Sequence, residues 1–330
     1  MALVSLPAEL LLPILDDLGP RFFHQNVRRL TISKRWYALA WPVFARELIL
    51  TSASLARFVS DEAVFRRMEP HIASARLSIG GKKLRFKPGD LGAVYVARKD
   101  KLSKTDSTRL RKVATKLQQC PALRSLRLNF TLDSPNTQLP FADLVGLRHL
   151  TSLEIDAILL PAVPRGTTTD DCWCCHINRL LCSLRRLRCR ISPACRRLLE
   201  IDRAVGSGLP VGLEELIINL DCRTTLDWMP RSCRYMPYGP YPPGSGFTHF
   251  DGIKTQAAAL ALHMTRPRMV RVIEYDCQAR EIRAFDALTG RQSRLPRDYE
   301  WDAEGELIED DGQRGARQQR LLQYIWSLVS

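Results

Sequence analysis

The sequence predicts an α/β fold: a small all-α module at the N-terminus, then an irregular repeat stack whose parallel sheet carries its helices on the outside. Three observations lead there. An apolar-x-x-apolar-x-apolar phrase recurs at Leu123–Leu128, Leu150–Ile155, Leu184–Cys189 and Leu213–Ile218, with starts 27, 34 and 29 residues apart. Apolar residues at helical spacing precede several of these phrases, and strands alternating with helices build a parallel sheet with the helices packed against it. The first 44 residues are rich in leucine at helical spacing.

The elements follow in order. Pro7 suits a first helical turn, where its missing N–H costs nothing, and Glu9 favours the positive end of the helix. Leu11, Ile14, Leu15 and Leu18 form one apolar stripe, and Gly19-Pro20 is the expected stop. A second segment places Val27, Leu30, Trp36, Leu39 and Ala40 at helical spacing and closes at Trp41-Pro42. So short a pair of helices cannot bury all of its leucines and tryptophans alone. The surplus has to meet a partner or the rest of the chain; an amphipathic cap on a larger domain is the alternative.

Further on, Ile72–Leu77 is a weaker copy of the phrase, and Gly80-Gly81-Lys82 is read as a turn. Leu110, Val113 and Leu117 share a helix face ahead of Cys120-Pro121, as do Ile177, Leu180, Leu181 and Leu184 ahead of the third strand. Ser192-Pro193 opens a helix through Leu198, Leu199 and Ile201. Five prolines at 230, 237, 240, 242 and 243, among Tyr235, Tyr238 and Tyr241, make a long loop. A helix around Thr255 to Met264 ends at Pro267, and a strand through Val270, Val272 and Ile273 has Ile282–Phe285 as a hairpin partner. Residues 298–311 hold eight acids and no base, and Arg317–Leu328 reads as an amphipathic capping helix. The expected divisions are 1–50, 51–290 and 291–330.

Leu6, Pro7, Glu9, Leu10, Ile14, Leu18, Leu30, Ser33, Lys34, Arg35, Trp36, Leu39, Ala40 and Pro42 together resemble an F-box, the helical module that docks a protein onto the Skp adaptor of a cullin-type ubiquitin ligase. The stretch Arg21–His24 departs from it, since an acidic turn leading into leucines is more usual there. The phrases behind it resemble leucine-rich repeats, whose period is about 20–29 residues, although these are longer, irregular and lack the consensus asparagine. An F-box followed by a degenerate repeat stack is similar to many fungal F-box proteins. The resemblance implies a non-catalytic substrate receptor: Leu6, Pro7, Leu10, Ile14, Leu30 and Trp36 would form the adaptor-facing surface and its support, with a cullin reached through the Skp adaptor.

Composition sets bounds on function. At 330 residues and 45% hydrophobic, the chain is long and apolar enough for more than one core. No apolar run reaches the roughly 20 residues of a membrane span, and Glu9, Asp16 and Asp17 interrupt the N-terminal stretch, which also lacks a basic head. The expectation is a cytoplasmic or nuclear protein without a membrane partner. The ten cysteines would then be reduced. Cys172, Cys174, Cys175 and His176 do not have zinc-ligand spacing, and Cys182, Cys189 and Cys222 are expected as buried thiols, so no metal or other cofactor is expected.

The formal charge is +14. Residues 98–127 carry ten Lys or Arg against two Asp, and residues 179–203 eight Arg against two acids, with no aromatic residue in either stretch. Single-strand nucleic-acid binders interleave aromatics with their basic stripe, so solvated faces are the preferred reading over nucleic acid. No Walker loop, nucleophile elbow or His-Glu-x-x-His helix is present in the sequence.

In a strand, alternate residues face opposite sides. With the repeated apolar residues inward, the exposed face would carry Arg76; Ser125, Arg127 and Asn129; Ser152, Glu154 and Asp156; Arg186, Arg188 and Arg190; and Glu215 and Ile217. Arginine pairs bidentately with carboxylate or phosphate. Arg127, Glu154, Arg186, Arg188 and Arg190 are therefore candidates to bind a protein substrate with an acidic or phosphorylated segment. The alternative is that these arginines pair with Glu154 and Asp156 next door. A repeat scaffold outside any ligase and a basic nucleic-acid-binding repeat protein are the rival functions.

Overall fold

Among the described residues, ten strands form one mixed sheet in strict chain order. A computed structural model describes residues 6–80, 104–131, 141–147, 149–158, 173–191, 196–200, 211–220, 249–276, 279, 281–296 and 298–308. Helix α1 (Ala8–Gln25), a 3₁₀ turn (Val27–Leu30) and α2 (Lys34–Ala45) lead into β1 (Glu47–Thr51). Helices α3 (Ser52–Ser60) and α4 (Glu62–Met68) precede β2 (Ser74–Gly80), and α5 (Lys104–Gln119) precedes β3 (Ser125–Thr131). Then come α6 (Phe141–Val145), β4 (Ser152–Ile158), α7 (Trp173–Asn178), β5 (Arg186–Ile191), a 3₁₀ turn (Arg196–Leu199) and β6 (Glu215–Asn219). Helix α8 (His249–His263) and strands β7 (Met269–Asp276), β8 (Glu281–Asp286), β9 (Gln292–Leu295) and β10 (Glu306–Leu307) complete the described chain.

Strands β1 to β7 are parallel, and β7 to β10 turn antiparallel. The register is set by the phrases. Leu77, Leu128, Ile155, Cys189, Ile218 and Val272 stand opposite one another across β2 to β7, and all are buried. A slip of one residue in any strand would turn that row to the solvent face. Helices α3, α5, α6, α7 and α8 cover the apolar side, and Leu110, Val113 and Leu117 of α5 are buried in the same core. Lys116 is carried into that layer by pairing with Glu62 at 2.6 Å and lying over the Phe65 ring at 4.5 Å. The hydrogen bond from Lys116 holds the Glu62 carboxyl below its ordinary range.

The N-terminal helices have a separate core of Leu11, Leu15, Phe23, Leu30, Trp36, Ala40 and Val43. Gly19 breaks α1 at φ 66°, ψ 173°, a backbone region essentially restricted to glycine. The chain does not stop there, as Gly19-Pro20 suggested, but resumes as helix to Gln25, with Phe23 buried. Ser33 caps α2 by accepting from the Trp36 N–H at 3.1 Å. The Trp36 indole donates to the Arg29 carbonyl at 2.7 Å, and the Arg29 guanidinium lies 4.1 Å from the centre of the Phe22 ring. Helix α2 continues through Pro42 to Ala45 instead of closing there. Proline removes one hydrogen bond, and the packing of Trp41 on Tyr37 and Phe44 holds the turn.

The module is tied to the repeats by an Asp16–Arg46 ion pair at 2.8 Å, a 2.8 Å bond between the His24 ring and the Glu47 carbonyl, and Arg67 of α4 over the Trp41 ring at 4.5 Å. Strand β1 starts at Glu47, ahead of the expected boundary at residue 50. The expected capping helix Arg317–Leu328 and the proline-rich loop through residue 248 lie outside the described residues, as do Gly81, Lys82, Cys172 and Cys222.

Candidate functional site

Two surfaces stand out, one apolar and one charged. The apolar one lies on the helical module. The expected stripe on α1 splits: Leu11 and Leu15 point inward and are fully buried, whereas Ile14 and Leu18 are 36% and 37% exposed. Leu10 joins them on the outer face at 55%. Residues 10, 14 and 18 recur every fourth position and so share a face one step round the helix from 11 and 15. Val27, expected at helical spacing with Leu30, is exposed too, because the chain there is a 3₁₀ turn in which only Leu30 is buried. Six of the ten large apolar residues exposed among the described residues fall between positions 10 and 32. That clustering is not what scattered surface leucines give.

The residues expected to meet an adaptor therefore sort into two groups. Pro7, Leu10 and Ile14 are exposed, and Leu6 is half-buried against the module's core. Leu30 and Trp36 are each only 2% exposed and hold the module together from inside.

The charged surface is the face of the sheet opposite the helices. Three rows of side chains cross β2 to β7 on it. One reads Ser74, Ser125, Ser152, Arg186, Glu215, Met269; the next Arg76, Arg127, Glu154, Arg188, Ile217, Arg271; the third Ser78, Asn129, Asp156, Arg190, Asn219, Ile273. Alternation holds in β5, where Leu187, Cys189 and Ile191 are buried and the three arginines point the other way. It fails in β6. Ile217 was expected on the open face and is fully buried, because it joins Ile273, Ile282, Ala284 and Leu295 of β7 to β9 in a second small core against which Tyr299 and Trp301 pack.

The arginines of the candidate substrate surface are largely paired within it. Arg190 grips Asp156 with two bonds of 2.7 Å, from Nε and Nη2, and its guanidinium lies 5.5 Å from the centre of the Trp301 ring. Arg188 bonds Glu215 and, at 2.9 Å, Asp302. Arg186 reaches Glu215 at 2.7 Å, and Arg127 bonds Glu154. Pairing with Glu154 and Asp156 is observed for Arg127 and Arg190, whereas Arg186 and Arg188 turn instead to Glu215 on β6. Register accounts for most of it: Asp156 stands opposite Arg190, Glu154 opposite Arg127 and Glu215 opposite Arg186, while Arg188, opposite Glu154, reaches diagonally to Glu215. The bonds to Arg188 hold the Asp302 carboxyl below its ordinary value of 3.8.

Residues 298–303 are the part of this surface that sequence reasoning missed. They lie over β5 to β7: Tyr299 accepts from Asn219 at 2.8 Å, and Arg271 donates to the carbonyls of Trp301 and Ala303 at 3.3 and 2.8 Å. The alternation Tyr-Glu-Trp-Asp within the acidic stretch was the available signal. Towards β1 the face stays open as a groove of about 250 Å³ floored by Ser74, Ser125 and Ser152 and flanked by Arg21, Arg76 and Arg127.

The cysteines lie elsewhere. Cys120 and Cys189 are buried; burial pushes the Cys120 thiol up to about 12 and raises that of Cys189 as well. Cys182 is only half-buried. Among the described residues no three His, Cys, Asp or Glu side chains are grouped as a metal site, and no helix is long and apolar enough to cross a membrane. Comparison with known proteins adds no relative: no family model, curated protein or solved structure matches the chain.

Proposed function

We propose that this protein is a non-catalytic substrate receptor of a Skp–cullin–F-box ubiquitin ligase. The helical module docks on the Skp adaptor, and the open face of the sheet takes the protein to be ubiquitinated. The observation that carries the reading is the outer face of α1, where Leu10, Ile14 and Leu18 stay exposed while the module already has a closed core of its own. Amphipathic helices with apolar anchors every third or fourth residue bind by laying that face into a partner's groove. The sheet holds the substrate beside ligase subunits bound through the adaptor, which raises the effective concentration for transfer. The pairing of the sheet's arginines with carboxylates argues against the nucleic-acid reading.

The test is affinity purification of the full chain and of a Leu10→Ser/Ile14→Ser variant, followed by mass spectrometry. Skp and cullin should accompany the first and be lost from the second. Skp without cullin would favour a scaffold outside the ligase, and neither protein in the first sample would defeat the reading.

A further inference from the structure

The chain itself shows what the charged face holds. Over β5 to β7 the occupant is its own acidic segment, with the Asp302 carboxylate on Arg188 and the Trp301 ring against Arg190. The open groove continues from that site, because Arg188 belongs to both. In the groove the donors outnumber the acceptors. Its lining includes five arginines, at 21, 76, 127, 186 and 188, against Glu47 and Glu154. Counting Glu215 and Asp302, which pair with Arg186 and Arg188, still leaves five positive charges against four negative.

The surplus sits at the end nearest the helical module. Arg21, exposed on α1, makes no ion pair among the described residues. Arg76 meets Glu47 only at 3.4 Å, and its Nε is buried without an acceptor. The Arg76 side chain is nevertheless 30% exposed and lines the groove, so its guanidinium can meet an incoming carboxylate there.

We infer that this groove binds an acidic, extended segment of a partner protein, whose carboxylates are held by Arg21 and Arg76 and which continues across β5 to β1 the path that residues 299–303 take over β7 to β5. The inference rests on the sheet face as the substrate surface and is independent of the adaptor-docking half of the proposed function. It moves the anchor from Arg188 and Arg190, which are held by two carboxylates and by Asp156 with Trp301, to Arg21, which makes no ion pair among the described residues, and Arg76, which has Glu47 alone at 3.4 Å. It also makes the helical module part of the binding site, since Arg21 comes from α1.

The probe is a fluorescein-labelled peptide, Tyr-Glu-Trp-Asp-Ala-Glu, titrated into the full chain by fluorescence anisotropy beside its Gln/Asn counterpart. The acidic peptide should bind, weaken as salt rises, and bind at least about tenfold more tightly than the neutral one. Arg76→Gln and Arg21→Gln should each weaken it about tenfold, whereas Arg66→Gln, on an exposed face of α4, should leave it unchanged. Arg21 is exposed, so that variant tests the site without risk to folding. Equal binding of the two peptides, unchanged binding in both groove variants, or displacement of the peptide by equimolar single-stranded DNA would overturn the inference. So would selective binding of a phosphoserine version with none of the carboxylate peptide. Skp co-purification with the Arg76→Gln and Arg21→Gln proteins reports separately on the adaptor reading, and it should be unaffected.

Discussion

Neighbouring leucines on α1 should respond in opposite ways to the same substitution. Leu11 is fully buried among Leu15, Phe23, Leu30, Trp36, Ala40 and Val43, whereas Leu10 is 55% exposed. Leu11→Ala removes a buried side chain and leaves a cavity, which costs about 2–5 kcal/mol. Leu10→Ala gives up only a partly buried side chain on an open surface, opens no cavity, and slightly raises helix propensity, so it should cost no more than about 1 kcal/mol. The module's core has only seven fully enclosed side chains, so the first loss is a large share of its local stability. Hydrogen exchange resolved by segment is the assay, because the sheet has its own core and need not unfold with the module. Leu11→Ala should speed exchange in Ala8–Gln25 and Lys34–Ala45 by about thirtyfold or more while β2 to β6 keep their protection. Leu10→Ala should leave both regions near the parent. If Leu10→Ala destabilises α1 as much as Leu11→Ala, the division into an inner and an outer face is wrong.

Other outcomes follow from the charged face and the thiols. Because Arg188 lowers the Asp302 carboxyl in the folded protein, their pair stabilises the C-terminal segment above the ordinary aspartate value of 3.8 and is lost as pH falls through the lower folded-state value. Protection of amides in residues 299–308 should therefore drop in acid below that value, and the Asp302→Asn variant should show a flatter profile; an unchanged profile would remove the pair from the account. Cys120 and Cys189 should resist alkylation at pH 8 in the folded protein and react once it is denatured, because burial holds both thiols protonated. Rapid modification of Cys189 in native protein would place β5 outside the core.

The strands were legible in the sequence where one face is uniformly apolar. The phrases at 72, 123, 150, 184 and 213 all became adjacent strands, because period-two alternation against a helix layer leaves little freedom of register. Strand β1 carries the same phrase in Ala45-Arg-Glu-Leu48-Ile-Leu50, 27 residues before the copy at 72, but its first residue still belongs to α2, which masked it. Ile217 and Val27 show the limit. Whether an apolar residue on an outer face is covered depends on a distant hairpin in the first case and on a 3₁₀ turn in the second, and neither is encoded in local periodicity. The arginines were found by pattern, yet their partners depended on which strands became neighbours. Glu215 serving both Arg186 and Arg188, and Asp302 returning from 114 residues away, are tertiary facts.

The most direct measurement is a calorimetric titration of purified Skp adaptor into the full chain. One-to-one binding with a negative heat-capacity change, the mark of apolar burial, is expected. It should be lost in Leu10→Ser/Ile14→Ser and retained in Arg76→Gln. No binding to the parent protein, or undiminished binding to the Leu10→Ser/Ile14→Ser variant, would contradict the account.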